Sequence, residues 1–114
     1  MIPKFRAWYM PFGPKEPIQE MVHGKASSIL VVAEMSPDKY IVEQSTGLKD
    51  ANGEEIYEGD IVKVVSQYWG QLGNRYEVKF IKGAFRVKYS LLSEISPSTV
   101  VMGNVHENHE LLDD

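Results

Sequence analysis

The stretch Arg75–Ser90 carries one dominant way of folding back on itself, and that constrains the class of the whole chain. Lys82-Gly83 supplies a two-residue loop, in which Gly83 can take the positive φ such turns need. Pairing outward from that loop sets Phe80 against Phe85, Val78 against Val87 and Tyr76 against Tyr89 on one face. The other face sets Lys79 against Arg86 and Glu77 against Lys88. The apolar pairs are worth roughly 0.2–1 kcal/mol each beyond burial. A one-residue slip would turn the whole apolar set to solvent, so the register is well specified.

Most of the remaining sequence also reads as strands. Lys4–Tyr9 alternates, with Phe5 and Ala7 on one face against Lys4, Arg6 and Trp8 on the other. Pro11, Gly13, Pro14 and Pro17 then make 10–17 a loop, since neither a helix nor a central strand tolerates that density. A short strand near Ile18–Val22 turns at His23-Gly24. The Val- and Ile-rich run Ser28–Glu34 predicts a strand covered on both faces, forming a hairpin with Tyr40–Gln44 across Ser36-Pro37-Asp38-Lys39. Asp60–Tyr68 is a strand by β-branched content, broken by Gly70 and Gly73-Asn74. Leu91–Ile95 predicts one helical turn, Thr99–Val105 a last strand, and Asn108 a cap for a final turn through Leu112. No segment sustains a 3.6-residue period beyond two turns. The expected fold is mainly β, a small N-terminal sheet region (1–46) packed on a strongly bent barrel (47–114) within one domain.

Composition narrows the chemistry. The 114 residues include no cysteine, which excludes disulfides, thiolate-held metals and cysteine nucleophiles. The longest apolar run, Ile29–Ala33, is far short of a membrane span, and the N-terminus lacks the apolar stretch of a signal peptide. A cytoplasmic protein with no membrane contact is expected.

Between Thr46 and Val62 lies a segment whose parts all have folding roles. Thr46-Gly47-Leu48 turns a strand sharply onto Leu48 as a core plug, and Asn52-Gly53 makes a tight turn. Ile56 and Tyr57 pin the loop back, and Gly59-Asp60 opens the next strand. Together with Lys4-Phe5-Arg6-Ala7-Trp8 and Gly103-Asn104-Val105-His106-Glu107-Asn108, this segment resembles the YopX family, small proteins encoded by phages and prophages. The blocks occur in the family's order along essentially the whole chain. The sequence departs from the pattern at His109, where the family usually carries Pro, and in the Pro-rich loop, which replaces a charged stretch. The resemblance implies a β-rich fold whose C-terminal part is an SH3-like, partly open barrel, and a phage or prophage origin. It implies no reaction.

Candidate chemistry is sparse. Asp50, Glu54, Glu55, Glu58 and Asp60 offer hard oxygen ligands, but their spacing does not match an EF-hand and no histidine accompanies them, so a solvated acidic loop is the reading. His106 and His109 are three apart, a spacing that suits two metal ligands on one helical turn, yet no third ligand is evident. His23 reads as a turn residue. No nucleophilic triad, phosphate-cradling loop or paired-carboxylate cleft can be assembled, so the expectation is a non-enzyme without cofactor, metal or small-molecule substrate.

Charge distribution says more. Residues 61–90 hold six cations and only Glu77 as an anion, a balance of +5 that leaves −9 for the rest of a chain whose total is −4. Lys63, Arg75, Lys79, Arg86 and Lys88, with Tyr68 and Trp69 on the adjoining loop, form a candidate face for an anionic partner. Alternatively the charges keep an edge hairpin soluble, and a pI near 5.4 opposes strong non-specific binding of nucleic acid. The expected function is therefore an accessory protein working through protein contacts, with itself as a homo-oligomer or with another protein. A nucleic-acid-binding factor using face 75–90 is the alternative.

Overall fold

The structure, a computed structural model, describes residues 4–66 and 69–112. It is mainly β, and the chain divides into two compact units, Met1–Ser45 and Thr46–Asp114.

In the first unit, β1 (Phe5–Tyr9) lies between β2 (Glu20–Gly24) and the first part of β3 (Tyr40–Lys49), antiparallel to both. A strand paired on both edges and covered on both sides buries both of its faces. Arg6 and Trp8, on the face opposite Phe5 and Ala7, are only 5% and 6% exposed. Arg6 can be buried because Glu43 stands opposite it in the β1–β3 register and takes its Nε–H at 3.0 Å. Trp8 donates its indole N–H to Gln19 Oε1 at 2.6 Å, and Gln19 Nε2 donates to the carbonyls of Pro14 and Glu16. The Pro-rich loop is thus tied back to β1.

Ser28–Glu34 is not a strand but part of a helix, α1 (Ala26–Met35), and β3 pairs with β1 rather than with this segment. A short apolar run does not by itself distinguish strand from helix. Leu30, Ala33, Glu34 and Met35 favour helix, and Ser36-Pro37 ends it, with a 3₁₀ turn at Pro37–Lys39 leading into β3. The helix is not covered on all sides. Ile29 is 2% exposed and packs over Gly24, whereas Leu30, Val31, Val32 and Met35 are exposed. Among the described residues, no helix is long and apolar enough to cross a membrane.

The second unit takes over β3 at Thr46. Thr46 Oγ1 accepts the Leu48 N–H at 3.1 Å and donates to the Ile56 carbonyl at 2.7 Å, which clasps the end of β3 to β4 (Glu55–Tyr57). The segment expected as a loop is therefore a short hairpin about Asn52-Gly53. Beyond it, β5 (Asp60–Val64) is the centre of an antiparallel sheet in the order β6-β5-β9, with β6 at Arg75–Glu77 and β9 at Thr99–Asn104. A register shift between Ile61 and Val62 on the β9 side bends this sheet into a curled half-barrel. The predicted strand to Tyr68 ends at Val64. Val65 N–H still bonds the Ser98 carbonyl at 2.8 Å in the β5–β9 register, but Ser96–Ser98 is a 3₁₀ turn that offers no further partner. Residues 67 and 68 lie outside the described residues. The core gathers Ile56, Val62, Val64, Tyr76, Val78, Val87, Leu92 and Ile95, with Leu48, Phe85 and Val101 packed against it. Leu92 and Ile95 come from the predicted helical turn, α2 (Leu92–Ile95).

Asn108 does not act as the expected side-chain cap. Its Oδ1 turns back to accept the Asn104 N–H at 3.3 Å, and its main-chain carbonyl accepts the Leu111 N–H of the 3₁₀ turn His109–Leu112.

Candidate binding groove on the second unit

The hairpin about Lys82-Gly83 forms in the predicted register, but only near its tip. In β7 (Lys79–Ile81) and β8 (Ala84–Arg86), Phe80 pairs with Phe85 and Lys79 with Arg86. Lys82 and Gly83 both have positive φ, 52° and 82°, the signature of a type I′ turn matched to the strand twist. Past Lys79 and Arg86 the two arms part. One arm continues into β6, which pairs with β5; the other closes a tight turn, with Val87 N–H bonded to the Ser90 carbonyl at 3.0 Å. The expected ladder pairs Val78–Val87, Glu77–Lys88 and Tyr76–Tyr89 do not form. β5 pairs with the other edge of β6, and the ladder stops because the second arm turns away through the Val87–Ser90 bond. The apolar partners still meet through their side chains. Val78 and Val87 share the core, and the Tyr76 and Tyr89 rings pack edge to face at 6.1 Å.

Where the arms part there is an open groove of about 680 Å³, walled by Gly73–Glu77 on one side and Arg86–Tyr89 on the other, with Lys79, Ile81 and Leu112 adding to its lining. Of the residues singled out in the sequence, Arg75, Lys79, Arg86 and Lys88 all line it. Among the described lining residues, Glu77 is the only carboxylate, and its Oε1 is 4.0 Å from Lys79 Nζ. Lys88 Nζ lies 5.2 Å from the centroid of the Tyr89 ring, a cation–π contact.

Two of the predicted face residues, Lys63 and Trp69, are not among the described residues that line the groove. Lys63 sits half-buried in β5 opposite Arg75 and Val100 and does not line it. Trp69 is 87% exposed with φ of 48° and is likewise absent from the lining. Tyr68 lies outside the described residues.

The acidic segment departs from a solvated loop at two positions, Asp50 and Asp60, both buried. Asp50 is buried; its Oδ1 accepts the N–H groups of Asn52 and Glu54, and its Oδ2 accepts that of Val101, each at 2.9 Å. Asp60 similarly accepts the Tyr57 N–H at 2.8 Å. The two local bonds of Asp50 are an Asx-turn signal legible in Asp50-Ala51-Asn52-Gly53. The bond to Val101, 51 residues away, has no local signal. Among the described residues, no three His, Asp or Glu side chains come together as a metal-holding group. His106 instead has its main-chain N–H on Asn104 Oδ1, at 2.9 Å.

The model of the family described as YopX protein matches residues 15–113. The chain belongs to the YopX family. The matched span takes in the 46–62 and 103–108 blocks, while Lys4–Trp8 precedes it. The fold is similar to the crystal structure of protein EF1440 from Enterococcus faecalis, with 26% identity, a TM-score of 0.62 and 99% of each chain covered. No curated protein matches the chain. The YopX motif residues Thr46, Asp50, Ile56 and Asn104 are occupied in clasps and turns of the second unit, whereas the groove is built from residues outside those blocks.

Proposed function

We propose that this YopX protein is a non-enzymatic accessory protein, encoded by a phage or prophage and acting in the bacterial cytoplasm, that works by holding an acidic segment of another protein in the groove. The observation that carries this reading is the convergence of Arg75, Lys79, Arg86 and Lys88 on one groove in a chain whose net charge is −4. Cations concentrated against an otherwise acidic chain select anionic partners locally and repel them elsewhere.

A nucleic acid is the less favoured occupant. Sequence-tolerant binding of single strands relies on open aromatic faces for base stacking. In the groove, Tyr89 already has Lys88 over its ring and Tyr76 against it, and the exposed Trp69 lies outside the lining. The protein's own acidic stretch is also a poor occupant for a second copy's groove. Residues 54–58 are held within their own fold by the fully buried Ile56 and by the Thr46–Ile56 bond.

The reading is tested by fluorescence anisotropy with a labelled Glu-rich peptide and with labelled DNA and RNA oligonucleotides, at low and physiological salt. Peptide binding that weakens with salt and is lost in the Lys79→Glu/Arg86→Glu variant supports it. Tighter binding of an oligonucleotide, or no binding of any probe at low salt, overturns it.

A further inference from the structure

We infer that the groove is a vacant strand position beside β6, and that its occupant binds by adding an extended acidic strand to that edge; this rests on the groove-binding reading above.

β6 is an edge strand, since the sheet runs in the order β6-β5-β9. Val78 N–H bonds the Asp60 carbonyl at 2.8 Å, and Val64 N–H bonds the Asn74 carbonyl at 2.9 Å. The Asn74 carbonyl and both main-chain groups of Val78, whose carbonyl accepts the Gly59 N–H, are therefore directed at the β5 side. In an antiparallel ladder that direction alternates with every residue, so Tyr76 faces β5 as well and Glu77 directs its N–H and C=O to the opposite edge. Successive side chains of a strand point to opposite faces, so a groove on one face meets every second residue. This groove is lined by every residue from Gly73 to Glu77, and it therefore follows the edge of the strand.

The room is there because the hairpin arms part. Had the ladder continued past Lys79 and Arg86, the segment 86–89 would itself occupy the edge of β6; instead it forms the far wall. The three residues of β6 correspond to roughly 10 Å, so about three residues of an occupant pair alongside it. Arg75 on one wall and Arg86 and Lys88 on the other then face the occupant's side chains. Opposite charges across a ladder stabilise and like charges destabilise, so acidic strands are accepted and basic ones refused. The same charges discourage pairing of this edge with another copy of itself. Main-chain bonds supply affinity and side-chain charge supplies selectivity, the division of labour of strand addition.

The test uses the full chain and a labelled peptide of about seven residues alternating Glu and Val. Two further versions carry N-methyl groups, on all Glu nitrogens or on all Val nitrogens. In an added strand only one of these sets faces β6, and a register slip is opposed because it would exchange the Glu and Val faces. The expected result is asymmetric. One methylated version binds at least about fivefold more weakly than the parent for each blocked bond, and the other stays within about twofold. Equal binding of all versions, with salt sensitivity retained, overturns strand addition while leaving the charge-based reading intact. Failure of the parent peptide to bind overturns that reading, and the inference with it.

Discussion

Lys79 and Arg86 stand directly opposite each other in the last pair of the β7–β8 ladder, and immediately past them the strands separate. Two cations facing one another is a poor pair for stability. Their position at the mouth of the groove gives that pair a functional reading, because both side chains line the cavity in which an anionic partner is proposed to sit.

A trade of function for stability is therefore expected at Arg86. Arg86→Glu places a carboxylate opposite Lys79 and leaves the Lys79–Glu77 contact in place. The variant should gain about 0.2–1 kcal/mol in urea unfolding while binding the acidic peptide more weakly. A variant that binds more weakly and is also less stable would contradict the pairing described here.

In the first unit, the Arg6–Glu43 pair should behave as a buried ion pair. Arg6→Ala leaves an uncompensated buried carboxylate and should cost on the order of 3–5 kcal/mol, whereas Arg6→Met with Glu43→Leu should be less damaging than either single change. Comparing the singles and the double in a denaturant cycle checks this. Additive costs would place the two residues apart.

Asp50 should matter for folding far more than its place in an acidic loop suggests. Asp50→Ala strips the partners from three main-chain N–H groups and should cost about 1–3 kcal/mol or more, as measured by thermal unfolding. Glu54→Ala, an exposed neighbour, should change stability by less than about 0.5 kcal/mol.

Gly103 and Asn108 should be coupled. A Cβ at Gly103 would collide with the Asn108 side chain, so Gly103→Ala should destabilise by about 1–3 kcal/mol. Shortening the neighbour, as in Gly103→Ala/Asn108→Ala, should recover part of that loss, giving a measurable interaction energy in the cycle.

How much of this was legible in the sequence follows from the range of the forces involved. The Lys82-Gly83 turn, the Phe80–Phe85 and Lys79–Arg86 pairs and the α2 turn depend on residues close in sequence, and they form as read. The inward part of the hairpin does not, because past Arg86 the second arm turns away through the Val87–Ser90 bond, while β5 holds only the other edge of β6. Ser28–Glu34 reads as a strand because its β-branched residues are compatible with both states, whereas the structure makes it part of α1 and pairs β3 with β1. The clustering of Arg75, Lys79, Arg86 and Lys88 was visible as charge, but the groove between them was not. It exists only because the ladder is cut short. The buried Arg6 was hidden for a related reason, since alternation alone does not reveal a strand covered on both faces.

The central claim is tested most directly by following main-chain amide resonances of the ¹⁵N-labelled protein during titration with the alternating Glu–Val peptide. Shifts concentrated in Gly73–Glu77 and Arg86–Tyr89, with Glu77 gaining protection from hydrogen exchange, are the predicted result. Shifts confined to β1, β2 and α1, or none at peptide concentrations that saturate the anisotropy signal, would contradict it.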